Sequence, residues 1–217
     1  MDNTARTPDV PVSTRAVFTV WVVFWVSVVL TNQGPQNFFW LCNMAQFIIL
    51  YSIWRGDRLL LSSQAGVVCV VGVVWAIDFA VAIGLGGRSP TGFTAYMFDD
   101  DYSLLTRTVS FYHVGLPLFV IRLLPRIGYD DRGPWIQSAI GVVGILGAWF
   151  FTDPDRNVNV VYHPFGVELF ETAELLWLAV LMVGYPVVLY FPGHFLVRAV
   201  LRRFSRGHDK KTGRGGR

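Results

Sequence analysis

Three side chains in the apolar stretches of this 217-residue chain are candidates for chemistry. They are a thiol at Cys42, an imidazole at His113 and a carboxyl group at Asp78, each in a different apolar stretch. An imidazole can take the proton of a neighbouring thiol, and a carboxylate can orient that imidazole and stabilise its charged form. The residue types therefore predict a relay with Cys42 as the nucleophile, His113 as the base and Asp78 as the orienting acid.

Each member of this relay also has a structural interpretation. Cys42 can pack as a small buried apolar residue. His113 can bond to Asp78 or to a backbone carbonyl that Pro117, four residues on, leaves without a donor. An unpaired carboxylate in a membrane helix costs about 2.5–3.5 kcal/mol, and a His113–Asp78 pair would offset this cost whether or not it does chemistry.

Four amide side chains are candidates for binding a substrate. Asn43 and Gln46 lie one helical turn apart in the same stretch as Cys42, and Asn157 and Asn159 lie in a polar connector. Polar side chains within a membrane usually face the interior of the bundle, where they can also bridge helices. For Asn157 and Asn159, capping and surface solubility are the alternative to a lid over the site.

The composition indicates the elements that must position these residues. The chain is 53% hydrophobic and 15% charged, whereas a soluble domain averages about 25% charged residues. Six apolar stretches approach the length of about 17–25 helical residues that crosses a bilayer. They run roughly over 16–31, 37–54, 64–86, 105–124, 135–151 and 173–200. The sequence therefore predicts an all-α, polytopic membrane bundle with six transmembrane helices over 16–203, an N-terminal segment 1–15 and a basic, disordered tail 204–217.

The charges predict the orientation of the bundle. Arg55, Arg58, Arg126 and Arg132 lie in two connectors on one side, together with the basic tail. The connectors on the other side are acidic and contain Asp99, Asp100, Asp101, Asp153, Asp155, Glu168, Glu171 and Glu174. Basic residues favour the cytoplasmic side, so both termini are predicted to be cytoplasmic. The expected location is the plasma membrane of a prokaryote.

The same distribution of charge predicts the partners. The net charge of +3 comes from a tail rich in Arg and Lys, which lacks the aromatic side chains of a nucleic-acid platform. Beside a bilayer, such a cluster attracts anionic lipid headgroups by about 1 kcal/mol per basic residue. Membrane lipids are therefore the expected partners, nucleic acid is not, and a partner membrane protein is left open.

No cofactor is expected. Retinal needs a lysine in a span, and the only lysines are Lys210 and Lys211 in the tail. Haem needs two histidines at one depth, and His113 and His194 lie at opposite ends of their spans. A metal site from His113, Asp78 and His163 lacks any paired spacing, so no metal is expected. Cys42 and Cys69 are also predicted to be too far apart for a disulfide.

Depth along the predicted helices favours a shared pocket. At 1.5 Å per residue, Asn43, Asp78 and His113 lie about 9–12 Å from the outer ends of their spans, and Cys42 is next to Asn43. A pocket at this level would meet acyl esters of lipids, which favours lipid acyl transfer or ester hydrolysis. Binding or transport of a small ligand or proton, and a structural role in a membrane complex, are the alternatives.

Several motifs resemble a group of uncharacterised bacterial integral membrane proteins. They are Asn37 to Asn43, Tyr96 to Asp99, Phe111 to Pro117, Gly128 to Arg132, and Thr152 to Pro154 with Asn157 and Asn159. The order of these features is more remotely similar to the YwaF-type membrane proteins, a wider group with a branch linked to Cys/His phospholipid acyl transfer. The resemblance implies Cys42 as nucleophile and His113 as its partner, with Asn159 in an outer segment.

Overall fold

The protein is an all-α bundle. The computed structural model describes residues 10–163 and 173–211, with side chains described through residue 204. Its helices are α1 (Val12–Asn32), α2 (Leu41–Arg55), α3 (Arg58–Gly84), α4 (Leu104–Val109), α5 (Tyr112–Ile127), α6 (Gly133–Phe151), α7 (Glu174–Tyr185) and α8 (Phe191–Lys211). Short 3-10 turns fill parts of the connectors, and a π-helical segment, Pro186–Tyr190, joins α7 to α8. The described part of the chain contains no strand, which confirms the predicted fold class.

Five helical segments are long and apolar enough to cross a membrane. They are α1, α3, the α4–α5 pair over Leu104–Ile127, α6, and the α7–α8 pair over Glu174–Phe204. Such segments need about 17–25 apolar residues to cover a hydrocarbon core of about 30 Å. The protein is therefore a helical membrane protein.

The remaining helix, α2, is shorter than the predicted span. Its 15 residues cover about 22 Å. The Trp54 indole donates to Thr19 Oγ1 at 3.0 Å, and the Arg15 guanidinium lies 5.8 Å from the Trp54 ring. The end of α2 therefore lies beside the start of α1, so the segment 35–55 runs back along α1. The 3-10 turn Pro35–Phe39 forms the first part of this segment and α2 forms the rest.

Helix α3 forms the centre of the bundle. It is apolar on all sides and packs against α2, α5, α6 and α8. A helix that is hydrophobic all round is stable only where neighbours or lipid surround it. Two residues that line the candidate site, Val68 and Val71, lie on this helix, so α3 forms one wall of the site.

Three boundaries differ from the sequence prediction. Helix α1 begins at Val12, inside the predicted N-terminal segment, and α3 begins at Arg58 rather than near residue 64. Helix α8 continues to Lys211, so residues 204–211 of the tail predicted to be disordered are helical. Amphipathic, charged residues extend this helix beyond the apolar stretch from which its end was predicted. Residues 1–9, 164–172 (with Glu168 and Glu171) and 212–217 lie outside the described part of the chain.

A charged network closes the end of the bundle predicted to be cytoplasmic. Asp130, in the α5–α6 connector, accepts hydrogen bonds from the Arg132 side chain at 2.9 and 3.0 Å and from Arg58 at 3.3 Å. Its backbone N–H donates to Ser62 Oγ. Hydrogen bonds from Arg132, with the charge of Arg58, hold the pKa of Asp130 well below its usual range. The connector is thereby fixed to the start of α3.

Candidate functional site

Cys42 and His113 line one narrow cleft between α2, α3 and α5. Its free volume is about 10 Å³, and its other lining residues are Val68, Val71, Tyr112, Leu116 and Pro117. Cys42 and His113 are both partly exposed, although α2 and α5 bury most of their neighbours. The structure therefore places the predicted nucleophile and base at the same cavity.

The start of α2 positions the Cys42 sulfur. Cys42 is the second residue of this helix, and the backbone amides of Cys42 and Asn43 are directed at its thiol. The first turn of a helix has N–H groups without intrahelical partners and carries a partial positive charge. N–H groups so placed favour negative charge on the sulfur, as for reactive cysteines at helix N-termini, whereas burial of the sulfur opposes it.

A break in the chain sets the tautomer of His113. Helix α4 ends at Val109 and α5 begins at Tyr112, and at this break the Ser110 carbonyl accepts from the His113 N–H at 3.1 Å and is within reach of the His113 side chain. His113 Nδ1 lies 2.9 Å from that carbonyl oxygen. Because a carbonyl only accepts, Nδ1 carries the proton, and Nε2 of the neutral ring keeps its lone pair. Among the described residues, Nε2 has no hydrogen-bond partner.

Aromatic stacking fixes the plane of this imidazole. The Trp75 ring lies parallel to it with centroids 5.2 Å apart, and the Tyr112 ring stacks at 4.1 Å. The Trp75 indole in turn donates to the Tyr96 hydroxyl at 3.2 Å, which links the stack to the connector between α3 and α4. The imidazole is thereby held in one orientation towards the cleft.

A close crossing of α3 and α5 lies directly beside the cleft. Pro117 has no N–H, so it cannot donate to the His113 carbonyl one turn earlier. Gly72 packs against that carbonyl, since a Cβ added at Gly72 would lie 2.3 Å from His113 O and 2.6 Å from Pro117 Cγ. Only glycine permits this approach, which brings α3 into the wall of the cleft.

The predicted pair between Asp78 and His113 is wrong. Asp78 Oδ2 accepts from Ser89 Oγ at 2.6 Å and from Thr94 Oγ1 at 2.5 Å, and it also accepts from the Thr94 N–H. Asp78 Oδ1 accepts from the Thr91 N–H at 3.0 Å. Asp78 lies about 9 Å along the helix from Gly72, and the hydrogen bonds to its carboxylate come from the connector that follows α3. Asp78 therefore anchors this connector rather than the imidazole.

Asn43 and Gln46 bridge helices instead of lining the cleft. Asn43 accepts from the Tyr112 hydroxyl at 2.5 Å and donates to the Asn37 carbonyl at 2.7 Å. Gln46 is fully buried and accepts from the Trp21 indole at 2.8 Å. These contacts correspond to the structural alternative for both residues.

Asn159 and Asn157 hold the connector that follows α6 against the start of α2. Asn159 Oδ1 accepts from the Leu41 N–H at 3.1 Å, and its Nδ2 donates to the Phe39 carbonyl at 2.8 Å. Asn157 Oδ1 accepts from the backbone of Tyr162 and His163. Both asparagines have positive φ, a conformation that asparagine tolerates better than most residues. Asn159 therefore caps the helix that carries Cys42, so it supports the site without entering the cleft.

Tyr112 and Trp75 are site residues that the sequence analysis missed. Tyr112 lines the cleft, and its hydroxyl lies beside the Cys42 thiol while bonded to Asn43. The only sequence signal for Tyr112 was its position directly before His113. Nothing in the pattern of aromatic residues singles out Trp75 among the 8 tryptophans of the chain.

Comparison with known proteins does not assign the chain to a class, so the class is defined from the fold and the site. No protein-family model, curated protein or solved structure matches the chain. In the described residues, no group of three or more His, Cys, Asp or Glu side chains could hold a metal ion. The fold and site define a helical membrane protein with a thiol and an imidazole at one intramembrane cleft.

Proposed function

We propose that this protein is a membrane enzyme that uses Cys42 and His113 for acyl transfer from lipid esters, or for their hydrolysis. The observation that carries the proposal is the shared cleft, with the sulfur at a helix N-terminus and the imidazole in the tautomer of a base. Nucleophilic catalysis by cysteine needs both features, because the thiolate is the attacking species.

The walls of the cleft support a lipid as the substrate. Apart from the thiol, the imidazole and Tyr112, they are formed by Val68, Val71, Leu116 and Pro117. Val71 and Pro117 are partly exposed within spanning helices, where the surroundings are acyl chains. The free volume of the cleft is about 10 Å³, which is about the size of one water molecule. An ester group would therefore reach the thiol and the imidazole only when the lining side chains move apart, with the rest of the lipid in the bilayer.

The reaction follows from the two groups. His113 Nε2 takes the proton of Cys42, and the thiolate attacks the carbonyl carbon of the ester. A C–S bond forms, the ester C–O bond breaks, and the leaving alkoxide takes the proton from the imidazolium. Water or an acceptor alcohol then attacks the thioester, again with His113 as the base, which releases a fatty acid or a new ester and restores the thiol.

A transporter is less well supported by the contacts. Asp78, the carboxylate that would bind a proton or cation, is filled by the connector. The α3 residues on the inner side of Gly72 include Val67, Val68 and Val71, which offer no polar path.

Location and orientation belong to the same proposal. We place the protein in a plasma membrane, with both termini cytoplasmic and the basic end of α8 at anionic headgroups. Arg58, Arg132 and Arg198 meet at one end of the bundle, where they pair with Asp130 and Asp131. Clustering of arginine at one end is the pattern of a cytoplasmic face.

Labelling with an acyl-chain probe that carries a thiol-reactive group tests the proposal. The native protein in lipid vesicles should be labelled at Cys42, and Cys42→Ala should abolish this labelling. His113→Ala should slow it by about 10²–10⁴-fold, the usual contribution of a general base. Cys69→Ala is the matched control, since Cys69 is a buried thiol outside the cleft. Labelling that is independent of Cys42, or lipid-ester turnover unchanged in Cys42→Ala, would rule the proposal out.

A further inference from the structure

A second polar cluster lies deeper in the bundle, where α3, α6 and the π-helical segment meet. Gln64, Gln137 and Tyr190 are at most 1% exposed. Gln64 Nε2 donates to Gln137 Oε1 at 2.7 Å and to Ser63 Oγ at 2.8 Å. Gln64 Oε1, Gln137 Nε2 and the Tyr190 hydroxyl have no hydrogen-bond partner in the described structure.

Three such atoms together require an explanation. A buried donor or acceptor without a partner costs about 1–3 kcal/mol, and native proteins contain few of them. Here they come from three separate elements, and the Tyr190 hydroxyl lies beside the Gln137 amide. Together they form one polar site whose hydrogen bonding is incomplete.

The local backbone makes room for this site. A Cβ at Gly141 would lie 2.5 Å from the Tyr190 hydroxyl, so only glycine on α6 lets the ring reach this position. Tyr190 closes the π-helical segment, in which Phe191 N bonds to Pro186 O. A π-helical turn is rare and is often found at functional sites.

The chemistry of the three atoms selects the ligand. Gln64 Oε1 accepts, Gln137 Nε2 donates, and a tyrosine hydroxyl does both. A cation would face the amide N–H group and an anion would face the amide oxygen, and none of the three side chains carries a charge. Water donates two hydrogen bonds and accepts two, and a buried water usually makes about three.

We propose that Gln64, Gln137 and Tyr190 form a binding site for a buried water molecule that links α3, α6 and the π-helical segment. The water donates to Gln64 Oε1, accepts from Gln137 Nε2 and completes the bonding of the Tyr190 hydroxyl. It stabilises the π-helical turn at the junction of α7 and α8.

Tyr190→Phe tests this proposal by the sign of its effect on thermal stability in detergent. If water holds the hydroxyl, the substitution removes a hydrogen bond and should lower Tm by about 2–4 °C in a chain of this size. If the hydroxyl is truly unpartnered, its removal should raise Tm or leave it unchanged, which would overturn the proposal. Tyr51→Phe is the control, since Tyr51 is 55% exposed.

X-ray hydroxyl-radical footprinting of the native protein gives a second test that needs no variant. Radicals form from bound water, so Tyr190 should be oxidised although it is 1% exposed. Trp25 is also 1% exposed but packs in the apolar core, and it should stay unmodified. An unmodified Tyr190 would overturn the proposal, even if Tyr190→Phe did not fold.

Discussion

Replacing Asp78 by asparagine separates the two roles considered for this carboxylate. In the structure, Oδ2 accepts from the Ser89 hydroxyl, the Thr94 hydroxyl and the Thr94 N–H, and Oδ1 accepts from the Thr91 N–H. Asparagine keeps one acceptor oxygen and places an NH₂ group at the other position. The two hydroxyls can rotate and accept from it, but the backbone N–H of Thr94 cannot.

The magnitude follows from these contacts. Asp78→Asn leaves one buried N–H without an acceptor, which costs about 1–3 kcal/mol. Asp78→Ala removes every acceptor and should cost about 3–5 kcal/mol, in the range for breaking a buried charged network. Most of this loss should fall on the connector between α3 and α4 rather than on the cleft.

Hydrogen–deuterium exchange measures the effect locally. With Asp78→Asn, a cost of about 2 kcal/mol should accelerate exchange of the Thr91 and Thr94 amides by about 30-fold, since 1.4 kcal/mol corresponds to a factor of ten. Exchange within α5 should stay unchanged. Asp100→Asn is the control, because the Asp100 side chain is fully exposed.

The opposite pattern would refute this reasoning. If Asp78 oriented His113, Asp78→Asn should reduce turnover by about 10⁴-fold, as loss of the orienting carboxylate does in a triad. Exchange in the connector would then remain at the native rate. Such a result would return Asp78 to the catalytic group and would require a different fold for the connector.

Two further predictions concern the α3–α5 crossing and the charged network. Gly72→Ala should force α3 away from the His113 carbonyl, lower stability by about 1–3 kcal/mol and slow labelling of Cys42. Gly115→Ala is the control and should have none of these effects, because nothing lies within 4 Å of a Cβ added there. The pKa of Asp130 is depressed in the folded protein. The stability that ionised Asp130 contributes to the fold is therefore fully present above the unfolded pKa of about 4, and it is lost as the pH falls towards the pKa of the folded state. The Tm difference between the native protein and Asp130→Asn should therefore shrink between pH 7 and pH 3.

The bundle was predictable because apolar length is a property of single segments. Long runs such as α1, α3 and α6 need no knowledge of their neighbours to be recognised. The length of α2 was less predictable, because the 3-10 turn Pro35–Phe39 forms the first part of the segment that was predicted as one span. No hydropathy pattern shows where this turn ends and the helix begins.

Membership of the site was partly predictable, but hydrogen-bond partners were not. Cys42 and His113 stand out because thiols and imidazoles are rare in this chain, which has 2 Cys and 4 His. The donors that fill Asp78 lie 11–16 residues further along, in a connector without any periodic pattern. Estimates of depth placed Asp78 and His113 at one level, but they could not show which way either side chain faces.

The cost of burying a polar atom explains which polar groups support the fold and which are left to bind other molecules. A polar atom in a membrane bundle is costly unless it is bonded, so Asp78, Asn43 and Asn159 are engaged with nearby residues. Among the described residues, the buried Gln46 Nε2 departs from this rule, and so do two sites along α3: His113 Nε2 at the cleft, and the cluster around Gln64. They lie about 12 Å apart along α3, the distance from Gln64 to Gly72, with Val67, Val68 and Val71 between them. Because apolar residues separate them, the cleft does not continue into the deeper cluster, and a substrate of Cys42 would reach it from the lipid.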